Sequence, residues 1–79
     1  MNITLIYFAQ VAEVTQKNKE ILTVNSGIMV MQLQWLLEEK YKELKGIYYK
    51  FAVNQVLGDD RGILTDGDEV AVLPPYAGG

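Results

Sequence analysis

The stretch Leu73-Pro74-Pro75-Tyr76-Ala77-Gly78-Gly79 joins the end of a predicted strand to a segment with almost no side chains. Its two prolines fix φ and remove two backbone donors, so the segment cannot continue a sheet ladder and should project as an extended rod. We therefore predict a folded domain over residues 1–73 and an extended tail over residues 74–79. A tail of that length reaches roughly 20 Å.

The final pair, Gly78 and Gly79, has two interpretations. Terminal residues are commonly frayed, and a bare Gly-Gly fits that description. A backbone without Cβ atoms can also pass through a channel too narrow for any side chain. The stiff Pro74-Pro75 base favours the second interpretation, a tail that enters a partner's active site.

The composition predicts one small domain, because 79 residues, of which 49% are hydrophobic, are too few for two cores. The net charge is −3, and the seven Lys and Arg residues are scattered. Without a basic stripe, neither nucleic acid nor an anionic membrane is expected as a partner. The acidic balance favours a basic docking surface on a protein partner.

Cysteine and histidine are absent from the sequence. Their absence excludes disulfides, thiolate nucleophiles, the usual zinc sites and histidine acid–base chemistry, so we expect no bound metal or cofactor and no catalytic side chain. The longest apolar run, residues 5–9, is too short to span a bilayer and follows no basic region. We therefore expect a cytoplasmic protein without a signal peptide or membrane anchor.

Hydrophobic periodicity predicts an α+β domain with one main helix. Residues 29–44 carry apolar side chains at spacings of three and four, and Gly46 ends this helix. Trp35 is expected to pack in or beside the core. Strands are predicted over residues 2–9, 20–24, 50–54, 55–57 and 69–73, with a short helical turn over 10–15. One helix covers one face of such a sheet.

The first and last strands carry apolar side chains on both faces. Alternation predicts a core face that contains Leu5, Tyr7, Val70 and Val72. The opposite face carries Ile6, Phe8 and Leu73. Contiguous apolar patches usually mark partner surfaces, although a loop or a wider core could instead cover these side chains. Periodicity leaves both interpretations open.

The run Thr65-Asp66-Gly67-Asp68 predicts a tight turn in which Gly67 has positive φ. The acidic residues here lack the further carboxylates and the bidentate Glu of an EF-hand. We interpret them as turn residues rather than as a calcium site.

Four segments, in this order and spacing, resemble one protein family. They are residues 7–11 (Tyr-Phe-Ala-Gln-Val), residues 52–55 (Ala-Val-Asn-Gln), residues 64–71, and Pro74-Pro75 followed by Gly78-Gly79. The chain resembles the small subunits of molybdopterin synthase, which are ubiquitin-like sulfur carriers. The resemblance implies a β-grasp fold, with a mixed four- to five-stranded sheet whose first and last strands lie side by side and parallel in its middle.

The resemblance also implies an apolar docking patch and an inserted tail. It assigns partner contacts to Phe8, Leu57, Leu73, Pro74, Pro75, Tyr76 and Ala77. Two positions depart from the family pattern. Members of the family often have an aromatic residue where this chain has Leu73, and a small aliphatic residue where it has Tyr76.

The chemistry implied by the resemblance takes place at Gly79, next to Gly78. An adenylating enzyme that resembles ubiquitin activators, and that holds the ATP and Mg, converts Gly79 to an acyl-adenylate. A sulfur donor protein or sulfide then gives a thiocarboxylate. The large synthase subunit, in a heterotetramer of two plus two subunits, transfers this sulfur to cyclic pyranopterin monophosphate. The chain itself supplies the reactive group and no cofactor.

Three alternatives remain at this point. The chain could carry sulfur for another pathway such as thiamine thiazole synthesis, whose carriers usually lack Pro-Pro. It could be a protein modifier that forms an isopeptide bond from Gly79 to a lysine. It could also be a binding module whose tail does no chemistry.

Overall fold

A computed structural model describes residues 1–57 and 62–75 of the chain. The run Gly58-Asp59-Asp60-Arg61-Gly62 predicts a loop, and its residues 58–61 lie outside the described residues. The tail residues Tyr76, Ala77, Gly78 and Gly79 lie outside them as well. The elements are β1 (Asn2–Tyr7), α1 (Ala9–Thr15), β2 (Lys19–Thr23), α2 (Val30–Lys40), a 3-10 helix (Lys42–Gly46), β3 (Lys50–Val53), β4 (Val56–Leu57) and β5 (Glu69–Leu73). Within these ranges, no helix has both the length and the apolar character needed to cross a bilayer.

The strands form one five-stranded sheet in the order β2-β1-β5-β3-β4. The first and last strands, β1 and β5, are parallel neighbours, and Tyr7 pairs with Val72. All other pairings are antiparallel. The predicted mixed sheet with parallel first and last strands in its middle is therefore confirmed.

The core lies between one face of this sheet and the helices. The predicted core residues Leu5, Tyr7, Val70 and Val72 are all buried. Helix α2 covers them with Val30, Leu33 and Leu37, which recur at helical spacing. Each fully buried leucine of this kind contributes roughly 2 kcal/mol by its removal from water.

Helix α2 is shorter than the sequence predicts. It ends at Lys40, because Tyr41 leaves helical geometry with φ −127° and ψ 88°, and the chain continues as the 3-10 helix. The break allows Leu44 to be fully buried in the core. The prediction of one helix over 29–44 is therefore wrong beyond residue 40, whereas Gly46 does end the helical segment. The turn predicted at 10–15 is a seven-residue helix, α1.

The start of α2 has no side-chain cap from Met29, as its apolar side chain predicts. The free backbone donors find other partners. The side chain of Gln32 accepts a hydrogen bond from the Met29 N–H at 2.8 Å. The Gly62 carbonyl accepts one from the Val30 N–H at 2.9 Å.

A cluster around Glu20 joins the strands to the helices. The Glu20 carboxylate accepts hydrogen bonds from the hydroxyls of Tyr7 (2.5 Å) and Tyr41 (2.7 Å) and from the ammonium groups of Lys40 (3.0 Å) and Lys17 (3.3 Å). Burial on its own raises the Glu20 pKa, but these donors outweigh it and lower the pKa to about 2. Burial and the bond to Glu20 raise the pKa of Tyr7. Tyr41, the residue at which α2 ends, is one of the donors of this cluster.

We predict that Glu20→Gln makes stability less dependent on pH in the acid range. The Glu20 pKa is lower in the folded than in the unfolded chain, so its charge stabilises the fold above the unfolded value. That contribution, on the order of 2 kcal/mol, is lost as the pH falls from about 5 towards 2. The melting temperature of the variant should lie below wild type at neutral pH, and the two should converge at acid pH. Glu13→Gln, at an exposed position of α1, should keep the wild-type profile. If the difference in melting temperature between wild type and Glu20→Gln stays constant with pH, this role of Glu20 is contradicted.

The turn before β5 has the predicted geometry. Gly67 has φ 85°, and its N–H donates to the carbonyl of Asn2 at 2.8 Å. The Asp68 carboxylate accepts a hydrogen bond from the Thr65 N–H at 2.8 Å, and this bond is the main cause of its lowered pKa. The Asn2 N–H in turn donates to the Asp66 side chain at 2.7 Å. These contacts support the interpretation of the acidic residues as turn chemistry.

We predict that Gly67→Ala destabilises the fold by about 1 kcal/mol or more, measured by thermal or denaturant unfolding. A Cβ at Gly67 would meet no atom within 4 Å, so the cost arises from the positive φ alone. The matched control is Gly46→Ala, where the space is equally open and φ is not positive. If both variants melt alike, backbone strain at Gly67 is not the cause.

Candidate docking face and tail base

Phe8 lies where β1 turns into α1. The predicted strand over 2–9 ends two residues early, because Ala9 adopts a left-handed conformation with φ 52°. Phe8 itself remains extended, with φ −122° and ψ 149°, and precedes the first helical residue. Its N–H donates to the Val72 carbonyl at 3.2 Å, which prolongs the parallel ladder by one bond. The Phe8 side chain is 44% exposed.

The sheet register collects apolar side chains on the face opposite the core. One row across the strands contains Ile6, Ala71, Ala52 and Leu57. In the next row Leu73 pairs with Lys50. Phe8 follows Tyr7, which pairs with Val72, so Phe8 lies beside Leu73. We call this surface the outer face, defined by Ile6, Phe8, Ala52, Leu57, Ala71 and Leu73.

The outer face has no helix over it among the described residues. Helix α1 inserts Val11 into the same buried cluster that Leu33 and Leu37 of α2 join, so both helices lie on the core side. Leu57 is 46% exposed, and Leu73 is half-buried. Of the three side chains that periodicity placed on this face, Phe8 is exposed, whereas Ile6 and Leu73 are half-buried.

The three residues of the expected patch, Phe8, Leu57 and Leu73, lie on this face but do not all contact one another. Phe8 and Leu73 are direct neighbours on the two central strands. Leu57 of β4 lies two strands away from Leu73 of β5, roughly 10 Å across the sheet. The small residues Ala52 and Ala71 connect them, and Ala52 is itself buried. The result is a shallow apolar surface that is widest where β5 ends.

The two prolines at the base of the tail differ in exposure. Pro74 is buried, whereas Pro75 is exposed. Pro74 was assigned to the projecting segment and to partner contacts, but it is already buried in the isolated chain. The partner contacts assigned to Tyr76 and Ala77 stay predictions.

Sequence reasoning missed three residues that lie on the same side of the sheet as the outer face, at its border. Ile21 of β2 pairs with Thr4 and is 68% exposed, and Lys19 pairs with Ile6. Lys50 pairs with Leu73. Alternation along β2 would have placed Lys19 and Ile21 on the same face of that strand. It could not have shown whether that face is the core side or the opposite side, because this depends on the register between β2 and β1.

A separate groove lies in the helix layer. It encloses about 400 Å³ between α2 and residues 25–28 and is lined by Trp35, Leu36 and Glu39 among others. Trp35 is 60% exposed, so it is not part of the core and packs at most at its flank. The apolar stripe of α2 is wider than the core it covers, and Trp35 and Leu36 lie at its outer edge.

The strongly shifted titratable groups of the described residues make structural contacts. Within residues 1–57 and 62–75 no three acidic side chains are grouped so that they could hold a metal ion. The groups whose pKa is strongly shifted are Glu20, Tyr7 and Tyr49. The Tyr7 hydroxyl donates to Glu20, and the Tyr49 hydroxyl donates to Glu38 of α2. What the outer face can do is hold an apolar partner surface beside the point where the tail leaves.

A mixed sheet with parallel first and last strands and a helix across one face defines the ubiquitin-like β-grasp class. Solved structures agree with this class. SAMP1 from Haloferax volcanii superposes with a TM-score of 0.83 at 20% identity, over 100% of both chains. A complex of subunits 1 and 2 of the molybdopterin-converting factor from Helicobacter pylori contains a chain that superposes with a TM-score of 0.70 at 26% identity, again over 100% of both chains.

The chain belongs to the ThiS family, whose model matches residues 5–79. Its relatives include the molybdopterin synthase sulfur carrier subunit of Homo sapiens, which is 37% identical over 98% of this chain and 93% of the relative. The protein of the same description from Chlamydomonas reinhardtii is 34% identical over 100% of both chains. The resemblance seen in the sequence is therefore confirmed.

Proposed function

We propose that this chain carries sulfur as a thiocarboxylate on Gly79 for the synthesis of molybdopterin. The observation that supports this most is the position of the outer face, whose neighbours Phe8 and Leu73 lie beside the start of the Gly-Gly tail. A docked partner would thereby receive the tail in a fixed direction. The similarity to molybdopterin synthase sulfur carrier subunits over the whole chain supports molybdopterin synthesis as the pathway.

The proposed chemistry requires no side chain of this protein. The α-carboxylate of Gly79 is ionised at neutral pH and attacks the α-phosphate of ATP, which releases pyrophosphate and leaves an acyl-adenylate. Sulfide displaces AMP directly. If the terminal sulfur of a persulfide on a donor protein attacks instead, it displaces AMP to give an acyl disulfide, and a second thiol then forms a disulfide with the donor cysteine and releases the sulfur on Gly79. The product is a thiocarboxylate whose sulfur is nucleophilic. Such chemistry explains how a chain without cysteine or histidine can act in sulfur transfer.

Two partners follow from this proposal. An adenylating enzyme similar to ubiquitin activators provides the ATP and Mg site, so this chain needs no cofactor of its own. The large subunit of molybdopterin synthase, in a heterotetramer of two plus two, accepts the tail and transfers sulfur to cyclic pyranopterin monophosphate. The complex of the two converting-factor subunits from Helicobacter pylori supports a partner of this kind. Since activation consumes ATP, we place the reaction in the cytoplasm.

The same acyl-adenylate could react with a lysine amine, which would make the chain a protein modifier. The decisive experiment is intact-mass analysis after incubation with ATP, the activating enzyme and sulfide. Replacement of one oxygen by sulfur supports the carrier, whereas stable lysine conjugates support the modifier. A chain that remains unchanged would contradict both.

We predict that deletion of Gly79, or addition of one residue after it, abolishes adenylation and sulfur transfer while docking persists. The outer face is built by β1, β3, β4 and β5 and does not include the tail. An error of 1 Å in placing a reacting group can cost about a hundredfold in rate, and one residue shifts the carboxylate by more. Mass analysis reports the chemistry, and calorimetry with the large subunit reports docking. Full activity of the truncated chain would falsify the carrier mechanism.

We predict that Phe8→Ala weakens binding to the large subunit by roughly 2 kcal/mol, as expected for a central aromatic anchor. Unfolding stability should change little, because Phe8 is 44% exposed and lies outside the buried cluster. Trp35→Ala is the matched control, an exposed aromatic residue in the helix layer, and should bind like wild type. Equal affinities of the two variants would show that the outer face is not the docking surface.

A further inference from the structure

Two lysines flank the apolar centre of the outer face. Lys19 of β2 pairs with Ile6, and Lys50 of β3 pairs with Leu73. Paired residues in a sheet point to the same side, so both lysines point away from the core. In the part of the chain that the structure describes, the salt bridges are made by Lys17 and Lys40 with Glu20 and involve neither of these two.

The negative charge on this face lies at its far end. Glu69 pairs with Thr4 at the start of β5, and Asp66 and Asp68 belong to the turn before it. Glu69 and Leu73 are four positions apart on β5, roughly 13 Å. The outer face is therefore positive near the tail and negative at the other end, although the chain as a whole carries −3.

Distances decide which of these charges act together. Lys19 and Lys50 are separated by three strand spacings, roughly 14 Å across the sheet. The Debye length at physiological salt is about 8 Å, so each lysine senses its own part of a partner surface. The five residues after Pro74 extend up to about 17 Å further. The carboxylate at the end of an extended tail would thus lie beyond the range of these two charges.

We propose that Lys50 and Lys19 determine docking specificity by pairing with carboxylates at the rim of the partner's apolar surface. The inference rests on the proposed function, because it takes the large subunit of molybdopterin synthase as the partner. The contact surface of that subunit is then acidic where the end of β5 docks. This differs from the expectation based on net charge, which predicts a basic partner surface. Lys50 has the greater effect, since it is half-buried beside Leu73 and is desolvated when that residue docks.

Association kinetics with the large subunit at low and high ionic strength test this assignment. Lys50→Glu should slow association on the order of tenfold at low salt, and the difference should shrink at high salt. Lys50→Gln should give an intermediate rate. The matched control is Lys42→Glu, an exposed position in the 3-10 helix of the helix layer, which changes the net charge by the same amount. Its association rate should stay close to wild type at both salt concentrations.

The outcomes separate this inference from the function on which it rests. Equal rates for Lys50→Glu and Lys42→Glu, with the same salt dependence, overturn the role of the lysines, while thiocarboxylate formation on Gly79 would still support the carrier. No binding of the wild-type chain overturns the proposed function and this assignment together. Thermal melts confirm that each variant is folded. If Lys50→Glu does not fold, Lys19→Glu on the exposed edge strand makes the same test.

Discussion

The parallel pairing of β1 with β5 is the constraint on which the rest of the structure depends. It joins residues that are far apart in the sequence, such as Leu5 and Val70, in the middle of the sheet. One side of this pair is the centre of the core under α2. The other side forms the centre of the outer face, and the end of β5 sets where the tail begins. A single register therefore fixes the stability of the domain and the position of its reactive end.

The protein divides its physical tasks between regions that share no residues. The Glu20 cluster and the buried leucines of α2 hold the strands against the helices. The outer face has few charges and is the surface proposed for recognition, and the tail, which has almost no side chains, is the segment proposed for chemistry. On that proposal, the carboxylate would gain its specificity from the attached domain and not from neighbouring side chains.

Much of this could be predicted from the sequence, where the deciding pattern is local. Alternation in β1 and β5 identified the core residues Leu5 and Val72, because a strand exposes every second side chain to one face. The order of short motifs identified the family. Tyr41 was placed wrongly within the helix, and its hydroxyl donates to Glu20, a partner 21 residues away that no local pattern reveals. Lys50 was missed because its position at the border of the outer face depends on the register between β3 and β5.

The distance in sequence between β1 and β5 has a consequence for synthesis of the protein. A chain that stops before residue 69 lacks the central partner of β1, so it can complete neither the core nor the outer face. Because contacts between such distant segments form only after nearly the whole chain is available, folding is coupled to completion of translation. Chains that stop before residue 69 therefore lack the outer face with which, on the proposed function, they would compete for the partner.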